Sequence, residues 1–285
     1  MNEPKLPSRD YDIIVIGGGH AGAEAAWAAA RMGASVALVT LDPSRIAQMS
    51  CNPAIGGLAK GQMVREVDAL GGLMGIAIDN TGIQFRMLNR SKGPAVWGPR
   101  AQADKYKYAA EVQRLLHTCR GLDIIAGEVG EIETIDDGGG RRIEAVVLAD
   151  GSRLRCRAAI VTTGTFLRGL MHTGERQTEG GRYGEAAARG LSGCLARLGL
   201  ELGRLKTGTP PRIHKDTIDY GVLERQPGDE VPAPFSYLNE YPPAATDARS
   251  DAPAGRWRPP LEQVCCWLTQ TSEQIHEIIR ANLDR

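Results

Sequence analysis

Apolar positions along the chain follow two rhythms. Near the N-terminus they run together: Tyr11 to Ile16 reads as a strand whose last four residues, Ile13 to Ile16, are all aliphatic and lead into Gly17, Gly18 and Gly19. An alanine-rich helix is predicted over Ala21 to Met32, with Gly33 at the stop position, and Ser35 to Thr40 reads as a second, parallel strand. Residues 1 to 10, with Pro4 and Pro7, read as a loose lead-in. The glycines of residues 50 to 75 predict a loop pressed against a ligand, then a short helix over Gln62 to Leu70. Another helix is expected from near Gln102 to about His117. From Ile124 the period becomes two. Glu131 to Ile135 alternates, Asp136 to Gly140 is a turn, Glu144 to Ala149 is a strand, and Asp150-Gly151 is a hairpin signal. Ala158 to Thr165 reads as a buried strand ending in a turn at Gly164. Leu191 to Leu200 reads as a helix, and Lys206 to Arg212 as a stiff basic connector. Residues 226 to 260 hold half of the prolines and read as irregular. Glu262 to Leu268 is expected to be a strand. A helix follows from Ser272 with an apolar stripe of Ile275, Ile278, Ile279 and Leu283.

Strand, glycine turn and helix give the Gly-x-Gly-x-x-Gly spacing a structural context. Gly17 permits the tight turn, Gly19 lets backbone approach a pyrophosphate, and Gly22 lets helix and strand pack closely. The helix dipole favours phosphate at that end. Gly17, Gly18, Gly19, His20, Ala21 and Gly22 are therefore the candidate dinucleotide cradle. Its position near the N-terminus, and the later β-meander, point to FAD rather than NAD, with the turn at Gly164 returning toward the cofactor. The fold expected is α/β: a Rossmann-like FAD-binding domain of the two-dinucleotide-binding type. Asp42, late for the fingerprint, is the candidate acid for a ribose hydroxyl.

A formal net charge of +0 over 285 residues denies a global polycation, so any nucleic-acid surface must be local. Arg86, Arg90, Lys92, Arg100, Lys105 and Lys107 form such a block against one nearby acid, Asp104, with Phe85 and Trp97 available for stacking. A second basic block runs from Arg182 to Lys215. Six cysteines at this length do not suggest a disulfide scaffold. With no leader and no run of about 18 apolar residues, a soluble cytoplasmic protein is expected. The histidines lack metal-ligand spacing, and no metal site is expected. Cys51 sits among Asn52, Pro53, Gly56, Gly57 and Lys60, a setting able to activate a thiol; a small buried residue is the other reading. Gly56 stands where flavin disulfide reductases place their second cysteine, which excludes that chemistry. Cys265 and Cys266 on one strand would face opposite sides.

Longer motifs are more specific. They include Gly17-Gly-Gly-His-Ala-Gly, Met49-Ser-Cys-Asn-Pro-Ala-Ile-Gly-Gly, Glu66-Val-Asp-Ala-Leu-Gly-Gly and Gly82-Ile-Gln-Phe-Arg. Ser91-Lys-Gly-Pro-Ala-Val, Arg100-Ala-Gln-Ala-Asp, Gly164-Thr-Phe-Leu and Arg204-Leu-Lys-Thr-Gly-Thr-Pro-Pro-Arg-Ile complete the set. Together they resemble the MnmG (GidA) family of tRNA wobble-uridine modification flavoenzymes. The resemblance implies the N-terminal portion of such a protein: residues 1–213 an incomplete FAD-binding domain, and 214–285 the start of an inserted NAD-binding-like domain. It implies addition of an aminomethyl or carboxymethylaminomethyl group at C5 of the uridine, using FAD, NADH and methylenetetrahydrofolate. It implies a homodimer that binds tRNA and a partner GTPase of the MnmE type. By the same resemblance Val129 and Ala188 join the cradle and Gly164 as cofactor contacts. Cys51 and Cys266 are the functional cysteines; the family usually has Pro at position 265. The NAD region is Glu262, Gln263, Val264, Cys265, Cys266, Trp267, Leu268, Thr269, Gln270, Thr271, Ser272, Glu273, Gln274, Ile275 and His276. The tRNA contacts are Arg86, Arg90, Lys92, Arg100 and Lys105. Two alternatives remain: a folate- and FAD-dependent tRNA uridine methyltransferase, and a non-catalytic FAD- or tRNA-binding fragment.

Overall fold

Strand β1 (Asp10–Ile16) explains its own aliphatic run, because both of its faces are covered. Val15 points into one core beside Ala23, Ala26 and Trp27, while Ile14 and Ile16 point into a second beside Leu154, Leu191 and Leu195. The structure, a computed structural model, describes residues 10–240 and 257–283. The expected lead-in and much of the proline-rich stretch lie outside the described residues.

Helix α1 (His20–Arg31) leads to β2 (Val36–Thr40). Then come β3 (Ala54–Gly56), α2 (Lys60–Ala69), α3 (Met74–Thr81), β4 (Gly82–Leu88), β5 (Gly98–Ala103) and α4 (Lys105–His117). The chain continues through β6 (Leu122–Ala126), β7 (Val129–Asp136), β8 (Arg141–Leu148) and β9 (Arg153–Val161). After β10 (Leu170–Thr173), β11 (Arg176–Glu179) and α5 (Gly190–Arg197) come β12 (Glu224–Gln226), α6 (Tyr237–Glu240), β13 (Cys266–Leu268) and α7 (Glu273–Arg280).

The main sheet has the order β6-β2-β1-β9-β8-β7. Its β6, β2, β1 and β9 run parallel, and β7 to β9 form the antiparallel meander. This is the Rossmann-like α/β arrangement read from the sequence. Helices α1, α3 and α4 cover one face, and α5 packs behind the meander. A second sheet, β3-β5-β4, is antiparallel and joins the first core through Ile55, Phe85, Ala101 and Ala103.

Several expectations need correction. Gln102 is not helical: it lies in β5 opposite Gln84, because Ala101 and Ala103 alternate into the core. Helix α4 starts only at Lys105, where the Asp104 carboxylate accepts hydrogen bonds from the Tyr106 and Lys107 N–H groups. The strand expected over Ala158 to Thr165 begins at Arg153, and Ala158 and Val161 are exposed. The reason is pairing: β8 meets β9 only from Arg153 to Arg155, and no described strand pairs with the rest of that edge. The strand expected over Glu262 to Leu268 is confined to Cys266–Leu268, since Gln263 and Val264 instead bond to the edge of β4. Ser272 caps α7 as its residue type suggests, but the Ile275, Ile278, Ile279 and Leu283 stripe faces outward, exposed.

Candidate functional site

The turn between β1 and α1 is held by glycine where only glycine fits. Gly17 has φ +109°, and a Cβ there would lie 2.5 Å from the Thr162 carbonyl oxygen. At Gly22 a Cβ would lie 1.8 Å from the Gly17 carbonyl oxygen. Gly19 is different. It caps α1 without any side-chain hydrogen bond, and a Cβ there would meet nothing within 4 Å. The first N–H groups of a helix have no partner within it, so α1 presents donors and the positive end of its dipole to open space. His20 Nδ1 is buried without a partner, and the ring packs edge-on against Tyr108 at 5.6 Å. Burial, with Arg182 nearby, lowers the His20 pKa. Donors, open space and an orphaned buried nitrogen fit a dinucleotide pyrophosphate.

Two residues in this turn escaped the sequence reading. Thr162, just beyond β9, donates its N–H to the Ile16 carbonyl at 2.9 Å and places its hydroxyl on the Ile16 and Gly17 carbonyls at 2.9 and 3.0 Å. A Thr-Thr-Gly at a strand end was the available signal. Glu24, an acid in an alanine-rich helix, accepts the Leu73 and Met74 N–H groups and so caps α3, with burial raising its pKa. Asp42 turns its carboxylate onto Ser44 and Arg45, capping its own loop, so the ribose role is not supported by its bonding. Gly164 follows Thr162 with φ +58°. Val129 opens β7, buried and paired with Leu148. Both backbone groups of Ala188 are used within the chain: its N–H donates to Phe166 and its carbonyl accepts from Arg168.

The two cysteines singled out flank the second sheet. On one face of that sheet Gln84 and Arg86 of β4 pair with Gln102 and Arg100 of β5, which in turn pair with Ala54 and Gly56 of β3. Cys51 lies in the loop before β3, separated from it by Asn52 and Pro53, at one edge; its Sγ donates to the Gly208 carbonyl at 3.2 Å. Arg212 holds the Cys51 and Ser50 carbonyls. The basic connector Lys206 to Arg212 thus folds back over the Cys51 loop. Gly56, Gly57 and Lys60 were expected to surround the thiol, yet the Gly57 N–H is taken by the Pro99 carbonyl. At the other edge Cys266 Sγ donates to Gln84 Oε1 at 3.1 Å. Burial is the largest influence on the Cys266 thiol and pushes it up. The two edges are two strand spacings apart, about 10 Å.

Residues 12–285 match the family model described as glucose inhibited division protein A. The chain belongs to the GidA family. It is 52% identical over 282 residues to the tRNA uridine 5-carboxymethylaminomethyl modification enzyme MnmG of Rhodopirellula baltica, covering 97% of this chain and 41% of that protein. The namesake of Salinibacter ruber is 48% identical over 276 residues, covering 97% and 39%. The crystal structure of GidA from Aquifex aeolicus superimposes with a TM-score of 0.85 at 47% identity, covering 97% of this chain and 44% of that one. The chain therefore spans about two fifths of the length of the relatives it matches.

For this GidA-family chain the basic block is less free than its sequence suggests. Arg90 pairs with Asp229 at 2.9 Å, an acid distant in sequence, and lies 6.0 Å from the Trp97 ring. Arg86 donates to the Pro227 carbonyl at 3.1 Å. Lys92 is exposed, Arg100 lies half-buried across from Arg86, and Lys105 Nζ sits 4.9 Å from the Tyr106 ring. Phe85 is not available for stacking: strand alternation turns it inward at 2% exposure, edge-on to Trp257. In the segment expected to bind NAD, Glu262, Gln263, Val264, Leu268, Thr269, Gln270, Thr271, Ser272, Glu273, Gln274 and Ile275 are exposed, and Cys265, Cys266, Trp267 and His276 are half-buried. Trp267 packs on Tyr220 at 5.1 Å, and His276 Nε2 meets the Thr271 hydroxyl at 2.6 Å. No helix among the described residues is long and apolar enough to cross a membrane.

Proposed function

We propose that this chain forms the cofactor cradle and thiol site of an enzyme that modifies C5 of the tRNA wobble uridine, adding an aminomethyl or carboxymethylaminomethyl group. The observation that carries this reading is the placement of the two thiols beyond opposite edges of one sheet, Cys51 in the loop that leads into β3 and Cys266 against Gln84 of β4. In the reading, Gly17, Gly18, Gly19, His20, Ala21 and Gly22 hold the FAD pyrophosphate, and Gly164, Val129 and Ala188 lie along the cofactor. FAD, when bound, supplies the redox chemistry of one-carbon transfer, with methylenetetrahydrofolate as carbon source and NADH as reductant. Residues 262–276 are the proposed NADH contact, and a partner GTPase of the MnmE type and a homodimer complete the assembly in the cytoplasm.

The chain's own chemistry follows from the reactivity of uracil. C5 is a weak nucleophile until a thiolate adds to C6 and pushes electron density toward C5 and O4. After the new C5 bond forms, a base takes the C5 proton and the sulfur leaves C6. Cys51 and Cys266 take these two tasks. Arg86, Arg90, Lys92, Arg100 and Lys105 hold tRNA phosphates near them.

The test is made at the native locus. Cys51→Ala and Cys266→Ala should each abolish the modified wobble nucleoside, read by mass spectrometry of bulk tRNA, while the purified proteins keep their flavin absorbance. Intact modification in either variant removes that cysteine from the mechanism. Loss of a T-loop methyluridine in a deletion strain would identify the folate-dependent methyltransferase instead.

A further inference from the structure

Gln84, on edge strand β4 and against Cys266, is a polar side chain exposed by only 4%. Its amide is oriented by its surroundings. The Nε2 group lies 2.9 Å from the Gln226 carbonyl and 3.3 Å from the Val264 carbonyl, both acceptors. An amide offers two donors on nitrogen and none on oxygen. The NH2 group must therefore face those carbonyls, and Oε1 must face Cys266 Sγ at 3.1 Å. Only a protonated sulfur completes that contact as a hydrogen bond, because a thiolate would set two acceptors against each other. Gln226 and Cys266 are also register partners between the antiparallel strands β12 and β13, so one side chain fixes both of them against β4. Val264 N–H on the Ile83 carbonyl at 2.7 Å and Gln263 on the Gly82 carbonyl at 3.1 Å complete the seam.

We propose that Gln84 is a positioning residue for Cys266: it holds the sulfur as a thiol and aims it along the polar face shared with Arg86 and Arg100. Cys266 then rests with its proton in place, and the contact to Gln84 must be released before the sulfur can act as a base. This deepens the reading of Cys266 as a functional cysteine and rests on it. Two substitutions separate an electronic role from a merely structural one. Gln84→Leu keeps the bulk and removes the acceptor. Gln84→Glu keeps an acceptor and brings a negative charge beside the sulfur, which disfavours the thiolate.

The experiment follows alkylation of the purified 285-residue chain with iodoacetamide between pH 6 and 10, with each cysteine resolved by peptide mass spectrometry. At neutral pH, Gln84→Leu should raise the Cys266 rate about fivefold, the equivalent of one ordinary hydrogen bond. Gln84→Glu should lower it by at least about threefold. Cys51 should react at its wild-type rate in both. Rates that move in the same direction, or stay within twofold of wild type, overturn the proposal; so does an equal change at Cys51, which would report loosening of the whole sheet. Should one variant fail to fold, the other decides by the direction of its shift. At the native locus Gln84→Leu should reduce wobble modification at least about tenfold with flavin content unchanged. If Cys266→Ala leaves modification intact, the catalytic reading of Cys266 fails, while the alkylation result still judges Gln84 on its own.

Discussion

Asp79 shows how one buried group can shape the pH response of this chain. It has no solvent exposure and accepts the Phe235 N–H at 2.7 Å, the Ser236 N–H at 2.9 Å and the Asn239 amide at 2.8 Å. Asp68, also buried, accepts the Tyr237 N–H at 2.8 Å. Together these carboxylates clasp residues 234 to 240 onto α2 and α3, and Phe235 enters the core beside Gly56. Burial pushes the Asp79 pKa up to about 6 from the usual 3.8, with the Asp68 charge adding to the effect. The folded state therefore binds this proton more tightly than the unfolded one. The stability it confers is fully present below about pH 4 and is lost as pH rises through about 6, a swing of about 3 kcal/mol. Urea titrations should show this slope, and Asp79→Asn, which cannot titrate, should flatten it. Asp79→Ala should cost about 3 kcal/mol or more, because two backbone N–H groups are left buried without acceptors.

At the scale of elements, the turn from β1 to α1 offers a paired test. Gly22→Ala would force a Cβ into the Gly17 carbonyl, so both melting temperature and flavin retention should fall. Gly19→Ala places its methyl in open space with φ −71°, which any residue adopts, so the melting temperature should hold while flavin affinity drops. Differential scanning fluorimetry and a flavin titration read the two effects. This turn was legible in the sequence because glycine spacing and an aliphatic run are local signals. So was the meander, whose alternation and Asp150-Gly151 turn are local as well. The α4 start was misread because alternating Ala101 and Ala103 resemble helix formers until their burial in a sheet is known. Gln84, Asp229 and Gly208 could not be found by spacing, because their partners Cys266, Arg90 and Cys51 are brought to them by topology. The motifs around Cys51 and Cys266 marked both thiols, yet only the order β3-β5-β4 and the Gln84 contact show that they lie beyond opposite edges of one sheet.

For the whole molecule, the covered and bare surfaces divide unevenly. Val15, Ile14 and their neighbours make two cores on either side of the main sheet. By contrast Leu205 is 94% exposed, Val222 78% and Ile278 61%, all in the last third of the chain. The Thr162 hydroxyl that clips the Gly17 turn has its acceptor on Ile16, 146 residues earlier. Between them lie helices α1 to α4 and the entire meander. The cradle is thus closed by a strand end far along the chain from its glycine turn, and its third wall is in place only once β9 has paired with β1. Chains truncated before Thr162 should bind no FAD in fluorescence-quenching titrations, and chains extended past Gly164 and α5 should begin to. With the cradle read as the FAD site, cofactor affinity becomes a gauge of whether β1 and β9 have paired.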